Sequence, residues 1–86
     1  MEESRQDRLK RLKMRSWRRG IKEMDLILGP FSDTELEGLD DARIAVYDAM
    51  LSENDHDLYQ WVTGQTPTPP RYHDLLAAIS EFSLKS

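Results

Sequence analysis

The sequence predicts an all-α fold, a compact five-helix bundle forming a single small domain over residues 1–86. Three observations lead there. Apolar residues recur at helical spacing in successive stretches, no stretch alternates convincingly as a strand would, and short turn signals separate the periodic segments. No internal repeat is visible, and the one linker-like stretch, GQTPTPP from Gly64 to Pro70, is too short to divide domains.

The first helix is expected from the N-cap Ser4 to about Ser16, with a narrow apolar side of Leu9, Leu12 and Ser16. The second begins near Arg18 or Arg19. Its residues Ile21, Met24, Leu28 and Phe31 fall within roughly 80° of one another on a helical wheel and form its core face. Pro30 lacks a backbone donor and follows Gly29, so this helix should stop or kink there and resume through SDTELEGL. A third helix runs from the cap Asp40 to about Leu51, with Ala42, Ala45, Val46, Ala49 and Met50 facing inward. Asp55 caps a short fourth helix carrying Leu58, Tyr59, Trp61 and Val62, which Gly64 ends. The fifth starts in the prolines under a Thr68 cap and presents Tyr72, Leu75, Leu76, Ile79 and Phe82. Both tryptophans read as core residues, Trp61 more firmly than Trp17.

Composition narrows the function. A chain of 86 residues, 38% hydrophobic and 33% charged, builds a thin core with little room for an enclosed catalytic site. There is no cysteine, which removes disulfides, thiolate chemistry and nearly every structural zinc site. His56 and His73 are the only histidines, and neither has the partner spacing of a metal site. Glu53, Asp55 and Asp57 cluster where capping and the helix dipole already account for them. No nucleophile elbow or phosphate loop is present, so the chain reads as a non-enzyme. Apolar runs such as LIL and LLAAI fall far short of the roughly 20 residues a membrane span needs.

Charge is unevenly spread. Residues 1–22 carry nine Lys or Arg against three acids, and residues 23–86 carry three against thirteen. A basic end on an acidic body suggests an interaction surface. One reading is a nucleic-acid-binding or regulatory module with Arg8, Arg11, Lys13 and Arg15 as phosphate contacts; the acidic remainder opposes it. The basic start holds Glu2 and Glu3 and lacks an apolar core, so neither a signal nor a transit peptide is visible. The expected location is therefore a bacterial cytoplasm rather than the mitochondrial matrix.

The stretch SWRRGIKEMDLILGPF, Ser16 to Phe31, holds the sharpest local signal. On a wheel continued through it, Arg19, Gly20, Glu23, Leu26 and Ile27 share one side, away from the core face. That side combines a charge pair with exposed apolar residues, as binding patches do. Arg19 preceding Glu23 is the poorer order for a helical pair, arginine opposes the dipole at a helix start, and glycine there costs about 1 kcal/mol against alanine. Three locally unfavourable choices point to a surface selected for a partner, with close backbone approach at Gly20. The alternative is that Gly20 is a C-cap of the first helix.

Arg19-Gly20-Ile21-Lys22-Glu23 matches an Arg-Gly-x-x-Glu motif, and it continues as MDLILGPF. Later comes DHDLYQWVTGQTPTPP, an Asp-x-Asp, aromatic, Trp and Pro-turn signature. With both, nearly the whole chain resembles the small FAD assembly factors of succinate dehydrogenase. The resemblance implies a non-catalytic factor that binds the flavoprotein subunit of succinate dehydrogenase, and often that of fumarate reductase, and promotes covalent attachment of FAD to a histidine of that partner. It places Arg19, Gly20 and Glu23 at the partner interface, with Arg18 as a basic neighbour; Leu26 and Ile27 join them from the wheel. No FAD is expected to be held stably by the chain itself, because no dinucleotide fingerprint is present. The free factor is expected to be a monomer.

Overall fold

A computed structural model describes residues 3–85. Five α-helices follow in order: α1 Arg5–Trp17, α2 Lys22–Glu35, α3 Asp41–Met50, α4 Asp55–Val62 and α5 His73–Lys85. Short 3-10 turns, Leu36–Gly38 and Pro70–Tyr72, precede α3 and α5. The described residues contain no strand, as the sequence predicts.

Caps fix the helix starts. The Ser4 hydroxyl accepts the Asp7 N–H at 3.1 Å, and the Asp40 carboxylate accepts the Arg43 N–H at 2.8 Å, both as expected. At α4 the cap is Asn54, whose side chain accepts the His56 N–H at 2.8 Å; Asp55 is the first helical residue and its carboxylate is committed elsewhere. Gly64 ends α4 in the left-handed region at φ 78°, with the Gln65 N–H reaching back to the Gln60 carbonyl at 2.8 Å. Thr68 does not cap α5: the 3-10 turn before that helix begins at Pro70, with Pro69 in the cap position and no side-chain cap.

Helix α2 packs against α1, α4 and α5. Its face of Met24, Leu28 and Phe31 is buried, and Phe31 stacks on Tyr47 at 6.0 Å and meets Phe82 edge-on at 5.7 Å. Of the two outcomes expected at Pro30, a stop does not occur: α2 carries Pro30 inside it and continues through Ser32, Asp33 and Thr34 to Glu35. Proline deletes one hydrogen bond; Met24 and Leu28 before it and Phe31 after it are anchored in the same core, so packing holds both halves together.

Helix α3 also departs from expectation. Ile44, Tyr47, Met50 and Leu51 are buried, Val46 is half-buried, and Ala42, Ala45 and Ala49 face solvent. Large side chains bury more area than alanine, so they set the helix rotation. Tyr47 closes this layer with a 2.6 Å hydrogen bond to Ser16, whose hydroxyl also donates to the Leu12 carbonyl at 2.8 Å. Trp61 is half-buried and packs on the core beside Tyr72. Trp17 is 43% exposed and lies flat on α2.

Candidate functional site around the link between the first two helices

Helix α1 ends at Trp17, because Arg18 leaves helical geometry at φ −126°, ψ 61°. Helix α2 starts at Lys22 after an extended Ile21. Arg18, Arg19 and Gly20 therefore lie in a four-residue link and not on the first turn of α2, and Gly20 is not the C-cap of α1 either. The link is held by side chains. The Arg19 N–H donates to the Asp25 carboxylate at 2.5 Å, and the Gly20 N–H donates to the Asp55 carboxylate.

Arg19 turns inward. Its Nε donates to Asp55 Oδ1 at 2.7 Å, and its Nη2 reaches the Glu53 carbonyl at 3.4 Å. The two side chains are only 8% and 14% exposed, so this is a largely buried ion pair. The expected surface pair of Arg19 with Glu23 does not form. The N-terminal end of α4 adds a favourable field at the Asp55 carboxylate. A methyl group on Gly20 would sit 2.7 Å from Asp55 Oδ2. The close approach that requires glycine is thus made by the chain's own aspartate.

Around this anchor, Arg18, the Gly20 backbone, Glu23 and Leu26 stay at the surface, with Leu26 60% exposed. Ile27 instead packs against the core. Trp17 closes one edge, its ring over Gly29 and its indole N–H donated to Asp33 at 3.2 Å. The link is also tied to the 3-10 turn before α5, because the Glu53 carboxylate accepts Tyr72 OH at 2.7 Å and Arg71 at 2.8 Å. Burial, then that carboxylate, pushes the Tyr72 phenol up from its ordinary value.

Sequence reasoning missed Asp55, Asp25 and Glu53 as parts of this site. The available signal was that Asp55 opens the second signature and Arg19-Gly20 opens the first; in the structure the two signatures touch.

The basic residues of α1 are mostly engaged within the chain. Arg8, Arg11 and Arg15 converge on Asp48 at 3.5, 2.9 and 3.2 Å, and Lys13 meets Glu37 at 3.4 Å. Hydrogen bonds from Arg11 hold the Asp48 carboxyl below its ordinary range. The four candidate phosphate contacts are therefore spent on acids from the rest of the fold, leaving the nucleic-acid reading without support. His56 and His73 are exposed, and among the described residues no group of three or more His, Cys, Asp or Glu is arranged to hold a metal.

Fold and site define a small all-α protein in which a buried arginine–aspartate pair fixes a surface link. The family model described as flavinator of succinate dehydrogenase (Sdh5) matches residues 10–83, and the chain belongs to that family. It is 42% identical over 77 residues to succinate dehydrogenase assembly factor 2, mitochondrial, of Drosophila grimshawi, covering 86% of this chain and 52% of the relative. It is 40% identical over 75 residues to the protein of the same name from Meyerozyma guilliermondii, covering 84% and 56%. The chain spans about half the length of these curated relatives. Their names place them in the mitochondrion, which overturns the expectation of a bacterial cytoplasm. That expectation rested on the lack of a visible transit pattern, and a chain spanning half of its relatives carries no information on what precedes it.

Proposed function

We propose that this protein is a mitochondrial assembly factor that binds the flavoprotein subunit of succinate dehydrogenase and promotes covalent attachment of FAD to it, without catalysing a reaction on its own. The observation that carries the reading is the convergence of the two signature segments: Asp55 fixes Arg19 and Gly20 in one geometry and leaves Gly20, Glu23, Leu26 and Arg18 presented together. Preorganisation of this kind lowers the ordering cost of docking.

In this role Arg19 acts mainly from within, holding the link, while Gly20 offers a flat backbone surface and Glu23 an exposed carboxylate that sets register by charged hydrogen bonds. FAD and the histidine that receives it belong to the partner. The factor's contribution is to hold the partner where flavin ring and histidine meet, with stabilisation of charge developing on the flavin left to the partner's pocket. A fumarate reductase flavoprotein subunit with the same surface is a second client, and the free factor is a monomer.

The test is to incubate purified flavoprotein subunit with FAD and the chain, then read flavin fluorescence of the denatured subunit. Wild type is expected to raise covalent flavin; Glu23→Ala, folded by circular dichroism, is expected to lose most of that gain. Equal fluorescence with both proteins overturns the reading.

A further inference from the structure

Lys10 and Met14 lie at i and i+4 along the outer side of α1, opposite the buried Leu12 and Ser16, and Arg18 follows directly after the helix end and lines the same groove. All three are exposed, Met14 at 55%. Among the described residues, Lys10, Arg18 and Lys22 are the cations of the basic segment that make no ion pair, and Lys10 and Arg18 line this side of α1, while Arg5, Arg8, Arg11, Lys13, Arg15 and Arg19 each meet a carboxylate. A shallow groove of about 470 Å³ runs along this side between Lys10, Met14 and Arg18 on one hand and the fixed stems of Arg11 and Arg15 on the other, with Asp7 at one end.

We infer that this outer side of α1 is a second docking surface, which takes an acidic segment carrying one apolar side chain on the same partner that meets Gly20. The inference rests on the function proposed above. Two unpaired cations about two helical turns apart flank a methionine, a flexible side chain suited to packing on an apolar anchor. Arg18 belongs to both surfaces, so one partner reaches both without a gap. Charge complementarity selects an acidic protein segment over a nucleic acid: only two of the cations lining the groove are uncommitted, Asp7 closes one end, and residues 23–86 carry a net negative charge that repels a long polyanion.

Charges at the rim of an interface chiefly set association rate and its salt dependence, whereas apolar contacts at its centre set dissociation. The experiment measures association and dissociation of the full chain with purified flavoprotein subunit of succinate dehydrogenase at low and high salt. Lys10→Glu/Arg18→Glu is compared with Arg43→Glu/Lys85→Glu, a pair of reversals elsewhere that changes net charge equally. The Lys10/Arg18 pair is expected to slow association about tenfold more than the control at low salt and to converge with it at high salt, and Met14→Ala to speed dissociation. Equal rates for the two double variants overturn the inference and leave the proposed function standing. A wild-type chain that does not bind the subunit overturns the proposed function and this inference with it. Binding of a duplex oligonucleotide that needs Lys10 and Arg18, with unchanged rates toward the flavoprotein, also overturns it.

Discussion

The Arg19 guanidinium and the Asp55 carboxylate, 36 residues apart in sequence, meet at 2.7 Å and are largely withdrawn from solvent. Removing one partner of such a pair strands the other's charge, which costs about 3–5 kcal/mol. Asp55→Ala is therefore expected to lower the melting temperature by more than about 10 °C in a domain of this size. A double-mutant cycle on Arg19 and Asp55 should return a coupling energy of about 2 kcal/mol or more, and one on Arg19 and Glu23 close to zero. The reverse ranking would restore the surface pair that helix spacing suggests.

Trp17 and Gly29 form a second specific fit. A methyl group at Gly29 would enter the Trp17 ring, so Gly29→Ala is expected to destabilise by about 1–3 kcal/mol despite alanine's better helix propensity. In a Trp17→Ala background the same substitution should cost little or become stabilising. Urea denaturation of the four proteins measures this, and additive costs would show that the ring does not define the site.

Titration should destabilise the fold at both ends of the pH range. Burial pushes the Tyr47 phenol up to about 12, against the opposing pulls of its Ser16 hydrogen bond and the Arg19 charge. The unfolded phenol titrates near 10, so the folded state keeps its proton longer. The stability from Tyr47, full below pH 10, is lost as pH rises toward about 12, by roughly 3 kcal/mol. Tyr47→Phe should flatten this alkaline limb in part, since Tyr72 is shifted the same way. Asp48 is shifted down by Arg11, so its contribution is present above the ordinary carboxyl value and is lost as pH falls below it. Asp48→Asn should flatten the acid limb of urea midpoint against pH.

The five helices were legible because caps and large apolar residues announce them locally: Ser4 and Asp40 bond as their positions suggest, and Met24, Leu28 and Phe31 point inward as their spacing requires. Local signals failed where a distant residue decides. Ala42, Ala45 and Ala49 looked like a close-packing face, but Ile44 and Tyr47 rotate the helix toward partners on α1 and α2. The motif was legible as a cluster of locally unfavourable choices and its meaning was not. Gly20 is small because Asp55 closes on it, and a wheel drawn through Arg19 assumes a helix that two carboxylates replace with a bent, non-helical link.

That link is where fold and proposed function meet, and its role is measured by covalent flavin on the flavoprotein subunit of succinate dehydrogenase after denaturation. Three variants should be compared with wild type at a temperature where all are folded: Glu23→Ala, Gly20→Ala and Arg43→Ala. Glu23→Ala and Gly20→Ala are expected to lose most of the flavin fluorescence that wild type promotes, and Arg43→Ala, exposed on α3, is expected to keep it. Full fluorescence with Glu23→Ala and Gly20→Ala would contradict the assignment of the Gly20 surface to the flavoprotein.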